Sequence, residues 1–173
     1  MRLFFALPLP PEVREDLGRW QREQTGTRGW SHPEGLHLTL AFLGERPAER
    51  LPILDALAAT IAYRHGAFTL HTAALGGFPK DGMARLLWLG LEPSHALNAL
   101  ATDLHDALAA AGEAFDAKPF HPHLTLARFR QARAVAAFVA PPPASFAADR
   151  LALFESLPQG GYTPLRTWNL RRV

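Results

Sequence analysis

The sequence His37-Leu38-Thr39-Leu40 recurs unchanged at 123–126. Successive side chains of an extended strand point to opposite faces of a sheet. Each copy therefore predicts a strand that carries His and Thr on one face and two leucines on the other. The leucine face is suited to burial in a core, and the polar face is suited to lining a cleft. Two such strands facing each other would gather two imidazoles and two hydroxyls around one substrate.

The apolar pattern around the two motifs predicts strands and helices in mixed order. Strands are expected over residues 2–7, 36–43, 68–75, 85–91, 120–129, 151–157 and 163–170. Helices are expected after Pro10, after Pro47, from Ser94 to just before Gly112, and briefly over 132–139. Residues 76–82 are expected to form a loop, because turn-forming residues are concentrated there.

The mixed order of elements bears on the fold class. Helices separate some strands and hairpins separate others, which favours an α+β fold with mainly antiparallel sheets over a doubly wound sheet. Each half of the chain contains strands, a long helix and one copy of the motif. We therefore expect two pseudo-symmetric lobes with flanking helices, an active-site cleft between them, and an origin by duplication. The expected unit is a single domain over residues 1–173 made of two intertwined lobes.

Composition narrows the class of protein. The chain is 48% hydrophobic and 20% charged, which is typical of a globular protein. It contains no cysteine, which excludes disulfides, thiolate metal sites and a cysteine nucleophile. No apolar run is long enough to span a membrane, and the first residues are more typical of a strand than of a signal peptide. We expect a cytoplasmic protein that does not associate with membranes and is a monomer by default.

The charge balance is compatible with RNA but does not require it. The net charge is only +2, and arginine is abundant while lysine is nearly absent. The guanidinium group binds phosphate through a planar fork and stacks on bases. A bias of a GC-rich genome would produce the same excess of arginine, so charge alone does not identify the substrate.

A pair of histidines permits acid–base chemistry at phosphorus. Imidazole titrates near neutral pH, so one ring can be neutral while the other is protonated. The neutral ring can take a proton from water, and the protonated ring can give one to a leaving oxygen on the opposite side of the phosphate. The two threonine hydroxyls could then bind the non-bridging oxygens. Such a site needs no metal ion.

His121 and His123 offer an alternative, because two histidines at that spacing lie on one strand face and could be half of a metal site. No carboxylate or further histidine lies close by in the sequence, which favours metal-free catalysis. His121 is then expected to support the site or to lie at its entrance. Activity that survives a chelator would decide between the two interpretations.

The motifs resemble those of the two-histidine (2H) phosphoesterase superfamily, whose hallmark is a pair of His-x-Thr/Ser-x sequences. Within it, the chain is most similar to the RNA 2′,3′-cyclic phosphodiesterase family, historically called 2′-5′ RNA ligases. The resemblance covers nearly the whole chain. It includes the first strand at 2–7, Phe78-Pro79 with 85–90, the second motif with its flanks at 119–128, and the C-terminal residues 153–156 and 161–162.

The resemblance implies a bilobal enzyme without metal or cofactor that opens the 2′,3′-cyclic phosphate at an RNA 3′ end. The expected product is a 2′-phosphate, and members of the family can also join tRNA halves reversibly through a 2′-5′ bond. By resemblance, His37 and His123 are catalytic, and Thr39 and Thr125 bind the phosphate. We expect His37 to protonate the 3′ oxygen and His123 to activate water. The pseudo-symmetry leaves the opposite assignment open.

The two motifs differ five residues after the histidine, where one has Phe42 and the other has Arg128. In a regular strand both side chains would join the leucine face, but a bulge or a strand end would turn them into the cleft. The resemblance favours Arg128 as a residue that binds the phosphate or stacks on the terminal base. Phe42 could stack on the base from the other side. The alternatives are a surface ion pair for Arg128 and core packing for Phe42.

Two other classes of function are compatible with the same cleft. A non-catalytic module that binds RNA ends or nucleotides would not need a matched pair of histidines, whereas this chain has one. A related esterase would act on 2′-5′ oligoadenylate or on ADP-ribose cyclic phosphate. A panel of cyclic nucleotides, RNA with cyclic phosphate ends and 2′-5′ dinucleotides would separate these possibilities.

Overall fold

The computed structural model describes residues 1–24, 28–80 and 82–173. The helices and strands in this part of the chain are β1 (Arg2–Pro8), α1 (Pro11–Glu23), β2 (His37–Glu45), α2 (Leu51–Arg64), β3 (Phe68–Lys80), β4 (Met83–Leu91), α3 (His95–Ala110), β5 (His123–Ala134), β6 (Ser145–Ala148), β7 (Arg150–Ser156) and β8 (Tyr162–Asn169). Short 3₁₀ turns lie at Pro33–Gly35, Ala48–Arg50 and Val135–Ala137. As predicted, the Ser94 side chain caps α3 by accepting a hydrogen bond from the Leu97 N–H.

The strands form a sheet with the order β6-β3-β4-β5-β2-β1-β7-β8, and neighbouring strands are antiparallel. The two motif strands, β2 and β5, lie side by side at its centre and pair through Leu38 and Leu124. On one side of this junction, β2 continues into β1, β7 and β8; on the other, β5 continues into β4, β3 and β6. This arrangement confirms the predicted α+β fold with two lobes.

Burial follows the alternation that the motifs predict. Leu38, Leu40, Leu124 and Leu126 are at most 3% exposed and belong to the core. The His and Thr of each motif are only partly buried. The helices pack outside the sheet, with α3 against β2 and α2 against both α3 and β8. The motif leucines thus fix the strands from behind while their polar face stays open.

The loop predicted over 76–82 is largely absent, because β3 continues to Lys80 and β4 begins at Met83. Gly76 lies opposite Trp88, and a Cβ at this glycine would overlap the indole ring. The glycine therefore allows a bulky side chain to cross a neighbouring strand rather than allowing a turn. Asp81, which belonged to the predicted loop, lies outside the described residues.

The helix predicted over 132–139 is wrong. β5 extends to Ala134, and only a 3₁₀ turn follows at Val135–Ala137. The alanine-rich sequence favours a helix locally, but pairing of Arg133 and Ala134 with β4 overrides that preference. The short strand β6 was not predicted. It pairs with the start of β3, a partner that lies far away in the sequence.

Candidate active site

A cleft of about 640 Å³ opens where the two motif strands meet. The site residues predicted from the sequence all line this cleft: His37, Thr39, Phe42, His123, Thr125 and Arg128. The fold therefore brings together, on one surface, groups that lie half a chain apart. Their placement is a structural observation, and the role of each residue stays a prediction.

The register of β2 and β5 determines which groups are neighbours. Leu38 lies opposite Leu124 in an antiparallel pair. The flanking positions then place His37 towards Thr125 and Thr39 towards His123, because antiparallel registers run in opposite directions. Each imidazole is thus closest, along the sheet, to the hydroxyl of the other motif. The two motifs form one site related by an approximate twofold axis.

The two imidazoles are oriented in the same way. Nδ1 of His37 lies 2.6 Å from the Gly35 carbonyl oxygen, and Nδ1 of His123 lies 2.6 Å from the His121 carbonyl oxygen. A carbonyl can only accept, so each Nδ1 carries the proton and donates it. In the neutral tautomer the Nε2 atom is then left with its lone pair for a substrate. Both rings offer the same nitrogen for proton transfer.

Burial lowers the pKa of both histidines. For His37 the hydrogen bond to Gly35 opposes this effect, while the positive charges of His123 and Arg128 add to it. For His123 the hydrogen bond to the His121 carbonyl opposes it, and the charges of His121 and Arg128 add to it. Both imidazoles therefore favour the neutral form, and binding of an anionic substrate would favour protonation of one of them.

Aromatic rings surround each imidazole. Ring centroids of Phe4, Tyr162 and Phe154 lie 4.8, 4.9 and 5.6 Å from that of His37. Around His123, the rings of Phe78, His121 and Trp88 lie at 5.3, 5.9 and 6.3 Å. These contacts limit the rotation of each imidazole and exclude water from its sides. The second set differs from the first because it contains another imidazole, that of His121.

A β-bulge occurs at the same place in both motif strands. Two adjacent residues of β1 pair with the two residues that flank Leu40, so Leu40 itself has no partner on β1. In the same way, two adjacent residues of β4 pair with the residues that flank Leu126, which has no partner on β4. The extra residue shifts the alternation of side chains by one position. Phe42 and Arg128 consequently lie on the cleft face with the histidines and threonines. Phe42 stacks on Phe4, with 5.9 Å between ring centroids, and the Arg128 side chain is exposed.

Helix side chains hold both bulges from behind. Nε2 of His105, on α3, donates to the Leu40 carbonyl at 2.7 Å. The Gln21 side chain, on α1, donates to the Leu126 carbonyl at 3.4 Å. α1 therefore supports β5, and α3 supports β2, although each helix is followed along the chain by the other motif strand. A bulge leaves backbone groups without ladder partners, and these side chains help to satisfy them.

The segments that precede the motifs also cross to the opposite motif strand. The Arg128 N–H donates to the Gly29 carbonyl at 2.8 Å, and the Ser31 N–H donates to the Leu126 carbonyl at 2.8 Å. On the other side, the Asp116 N–H donates to the Phe42 carbonyl at 2.9 Å. The two segments form the walls of the cleft, and Lys118 pairs with Asp116 at 3.4 Å in one of them.

Sequence reasoning did not identify several cleft residues, namely Phe4, His32, Asp116, Lys118 and Tyr162. Tyr162 reaches His37 from β8, and nothing near either motif indicates that contact. Lysine is rare in this chain, and that rarity was the one feature of the sequence that could have drawn attention to Lys118. Among the described residues, no group of three or more His, Asp or Glu side chains is placed to share a metal ion. No described helix has the length and hydropathy needed to cross a membrane.

Residues 9–159 match the 2′-5′ RNA ligase superfamily. The chain belongs to this superfamily. The match covers most of the sequence and includes both motifs and the bulges that follow them. The resemblance drawn from the sequence is thereby confirmed.

Curated members of the superfamily support the same assignment. The chain is 38% identical to the RNA 2′,3′-cyclic phosphodiesterase of Escherichia coli, over 98% of this chain and 96% of that protein. It is 36% identical to the protein of the same name from Geobacillus stearothermophilus, over 76% of this chain. That match spans only 43% of the Geobacillus protein, which is much longer.

Solved structures of the superfamily share the fold along its whole length. Escherichia coli LigT complexed with 3′-AMP superposes with a TM-score of 0.81 at 37% identity, covering 98% of this chain and 97% of that one. A Thermus thermophilus structure superposes with a TM-score of 0.78 at 35% identity, covering 99% of both chains. The two-lobe phosphoesterase fold is therefore common to all three proteins.

Proposed function

We propose that this protein is a metal-independent RNA 2′,3′-cyclic phosphodiesterase that converts a terminal cyclic phosphate to a 2′-phosphomonoester. One observation carries the proposal: two imidazoles, each with Nδ1 fixed on a backbone carbonyl, present Nε2 to a shared cleft. A binding module would gain nothing from two matched proton-transfer groups. The names of the curated relatives support this function.

The proposed reaction is an in-line displacement at phosphorus. Nε2 of His123 takes a proton from water as the water oxygen bonds to phosphorus. Nε2 of His37 gives its proton to the 3′ oxygen as the bond from that oxygen to phosphorus breaks. The 2′ oxygen keeps its bond to phosphorus, which leaves a 2′-phosphate. The twofold arrangement also permits the reverse roles. Ligation through a 2′-5′ bond would follow the same steps with a 5′-hydroxyl in place of water, so that the P–O5′ bond forms as the P–O3′ bond breaks.

The other cleft residues would bind the substrate. Thr39 and Thr125 would donate hydrogen bonds to the non-bridging oxygens, where negative charge must be stabilised in the transition state. Arg128 would bind the phosphate or stack on the terminal base, and Phe42 would form the wall on the other side. Escherichia coli LigT has been solved with 3′-AMP and with phosphate, which supports a nucleotide phosphate as the ligand here.

The proposal extends to the whole chain as one domain that acts as a cytoplasmic monomer. β1 is paired on one side with β2 and on the other with β7, so the end of the chain completes the lobe that its beginning starts. Neither half of the sequence contains a complete lobe. Light scattering on the purified protein would test the monomer.

The decisive experiment is hydrolysis of a 2′,3′-cyclic nucleotide and of RNA with a cyclic phosphate end, both with a chelator present. We expect turnover in the chelator and a 2′-phosphate product identified by phosphorus NMR. A 3′-phosphate product would contradict the proposed bond cleavage, and binding without turnover would favour a non-catalytic module. Faster turnover of 2′-5′ oligoadenylate or ADP-ribose cyclic phosphate would instead identify a related esterase.

A further inference from the structure

A second concavity, of about 990 Å³, begins at the mouth of the cleft and follows the end of β5. We call it the arginine groove. Its lining residues are Arg28, Gly29, Arg128, Phe129, Arg130, Gln131, Ala132 and Arg133. Gly29 and Arg128 also line the cleft, so the two concavities are continuous. A ligand held between the two histidines could extend directly into the groove.

The groove lies where β5 loses its regular pairing with β4, over a segment that we call the excursion. Leu86 of β4 pairs with Arg128, but Ala84 pairs with Arg133, so residues 129–132 lie opposite Arg85 alone. At the corresponding place in the other lobe, only Leu43 is left without a partner on β1. The longer excursion of β5 leaves Arg130 and Gln131 exposed beside the cleft. It is a feature of one lobe and breaks the symmetry of the site.

Aromatic packing fixes the shape of the excursion. The Phe129 ring stacks on Phe138, with centroids 5.7 Å apart, and meets Trp30 edge-on at 6.2 Å. The Arg133 guanidinium lies 5.1 Å above the Phe129 centroid and 4.7 Å above that of Phe138. Such contacts hold the backbone in place, so the arginines are presented on a preformed surface.

The charge of the groove is of one sign. Among the residues that the structure describes, its lining contains arginines and no carboxylate. In the described part of the chain, no ion pair involves Arg28, Arg128 or Arg130. The concavity beside α1 differs, because Glu15 and Glu34 lie among its arginines. A preformed groove in which Arg28, Arg128 and Arg130 have no ion-pair partner among the described residues complements a polyanion.

We propose that the arginine groove binds the phosphodiester backbone of the single-stranded RNA that precedes the cyclic phosphate. This inference rests on the proposed function and adds to it the surface that binds the RNA strand beyond its terminal nucleotide. The terminal cyclic phosphate occupies the cleft, and the nucleotides on its 5′ side follow Arg128 towards Arg130 and Arg28. Phosphate contacts of this kind position a strand without reading its sequence.

The test compares a 2′,3′-cyclic mononucleotide with a 10-nucleotide RNA that ends in a 2′,3′-cyclic phosphate. We expect Arg130→Ala to raise KM for the RNA at low salt by about threefold or more, and Arg28→Ala/Arg130→Ala to raise it further. Each lost phosphate contact should also reduce the slope of log(kcat/KM) against log[salt] by about 0.7. Neither variant should alter turnover of the mononucleotide, which is too short to enter the groove.

Arg172→Ala is the matched control, because Arg172 is exposed and lines neither concavity. Equal effects of Arg130→Ala and Arg172→Ala would overturn the inference, as would equal KM values for the RNA and the mononucleotide in the unmodified protein. Fluorescence anisotropy with a labelled 10-nucleotide RNA ending in a 2′-phosphate gives a second measurement that needs no turnover. If neither substrate were hydrolysed, the proposed function would fail, and anisotropy would still show whether Arg130 contributes to RNA binding.

Discussion

The β2 side and the β5 side of the cleft have the same arrangement as far as the bulge and differ beyond it. On both sides, the Nδ1–H of a histidine donates a hydrogen bond to the carbonyl two residues earlier, and a bulge follows the threonine. On both, a helix side chain bonds the bulge carbonyl. The difference begins beyond the bulge, where β2 has Phe42 and β5 has Arg128 followed by the excursion that forms the arginine groove.

This difference matches the asymmetry of the proposed substrate. Attack and departure at a phosphorus atom occur on opposite sides, so proton transfer can use two equivalent groups. An RNA end, in contrast, extends from the phosphorus in one direction only. We infer that the symmetric part of the site performs the reaction and that the asymmetric part, on β5, binds the remainder of the substrate.

Removal of either imidazole tests the symmetric part and has the largest expected effect. We expect His37→Ala and His123→Ala each to lower kcat by about 10² to 10⁴-fold, the usual range for a general acid or base. The measurement is steady-state turnover of a 2′,3′-cyclic nucleotide. His95→Ala, at an exposed position at the start of α3, is the control. Turnover of either cleft variant at the unmodified rate would end the two-histidine mechanism.

A substrate with sulfur in place of the 3′ oxygen would distinguish the two roles. A thiolate leaves without protonation, so loss of the general acid should matter little for this substrate. If His37 is the acid, the activity of His37→Ala should be rescued, and that of His123→Ala should not. Rescue of His123→Ala alone would reverse the assignment.

The two residues beyond the bulges test the asymmetric part. We expect Arg128→Ala to lower kcat/KM for a cyclic nucleotide by about 10 to 100-fold, because a charged hydrogen bond contributes about 1.5–3 kcal/mol. Phe42→Ala should cost only about fivefold, since an aromatic contact contributes about 1 kcal/mol and Phe4 remains as the wall. Arg128→Lys keeps the charge without the planar fork. Equal losses at Phe42 and Arg128 would contradict the division between the two sides.

Substitution of the threonines tests whether the hydroxyls are equivalent. We expect Thr39→Val and Thr125→Val to lower kcat by similar factors, about tenfold each, because each removes one hydrogen bond to the phosphate and keeps the side-chain volume. Thr39→Ser and Thr125→Ser retain the hydroxyl and are the controls. A large effect at one position and none at the other would show that the phosphate lies closer to one motif.

The smallest expected effect is on stability as a function of pH. Burial lowers the pKa of His37 and His123 below the ordinary value of 6.5. The unfolded chain then binds more protons than the folded one, so the free energy of unfolding should fall as pH decreases below about 6.5. Urea denaturation between pH 7 and pH 5 measures this slope. The double variant His37→Phe/His123→Phe should show a shallower slope, and an unchanged slope would mean that other groups cause it.

The local sequence contained most of the information about the motif strands. The alternation of polar and leucine residues predicted both strands, their faces and the shared cleft. It could not predict that Gln21 and His105 would reach the opposite motif, because these contacts depend on how the two lobes pack. The end of β5, residues 132–134, was mistaken for the start of a helix because its alanines favour one locally, whereas pairing of Arg133 and Ala134 with β4 decides its conformation. Tyr162 was missed because β8 is adjacent to the site only in space.

The pairing of β1 with β7 has a consequence for synthesis on the ribosome. β1 leaves the ribosome well before the partner for its second edge, residues 150–156. Until then a strand with the buried residues Leu3 and Phe5 has an open edge, which is a site for aggregation. The nascent chain would therefore depend on chaperones more than a protein whose first lobe closes early, and slow translation would prolong that interval.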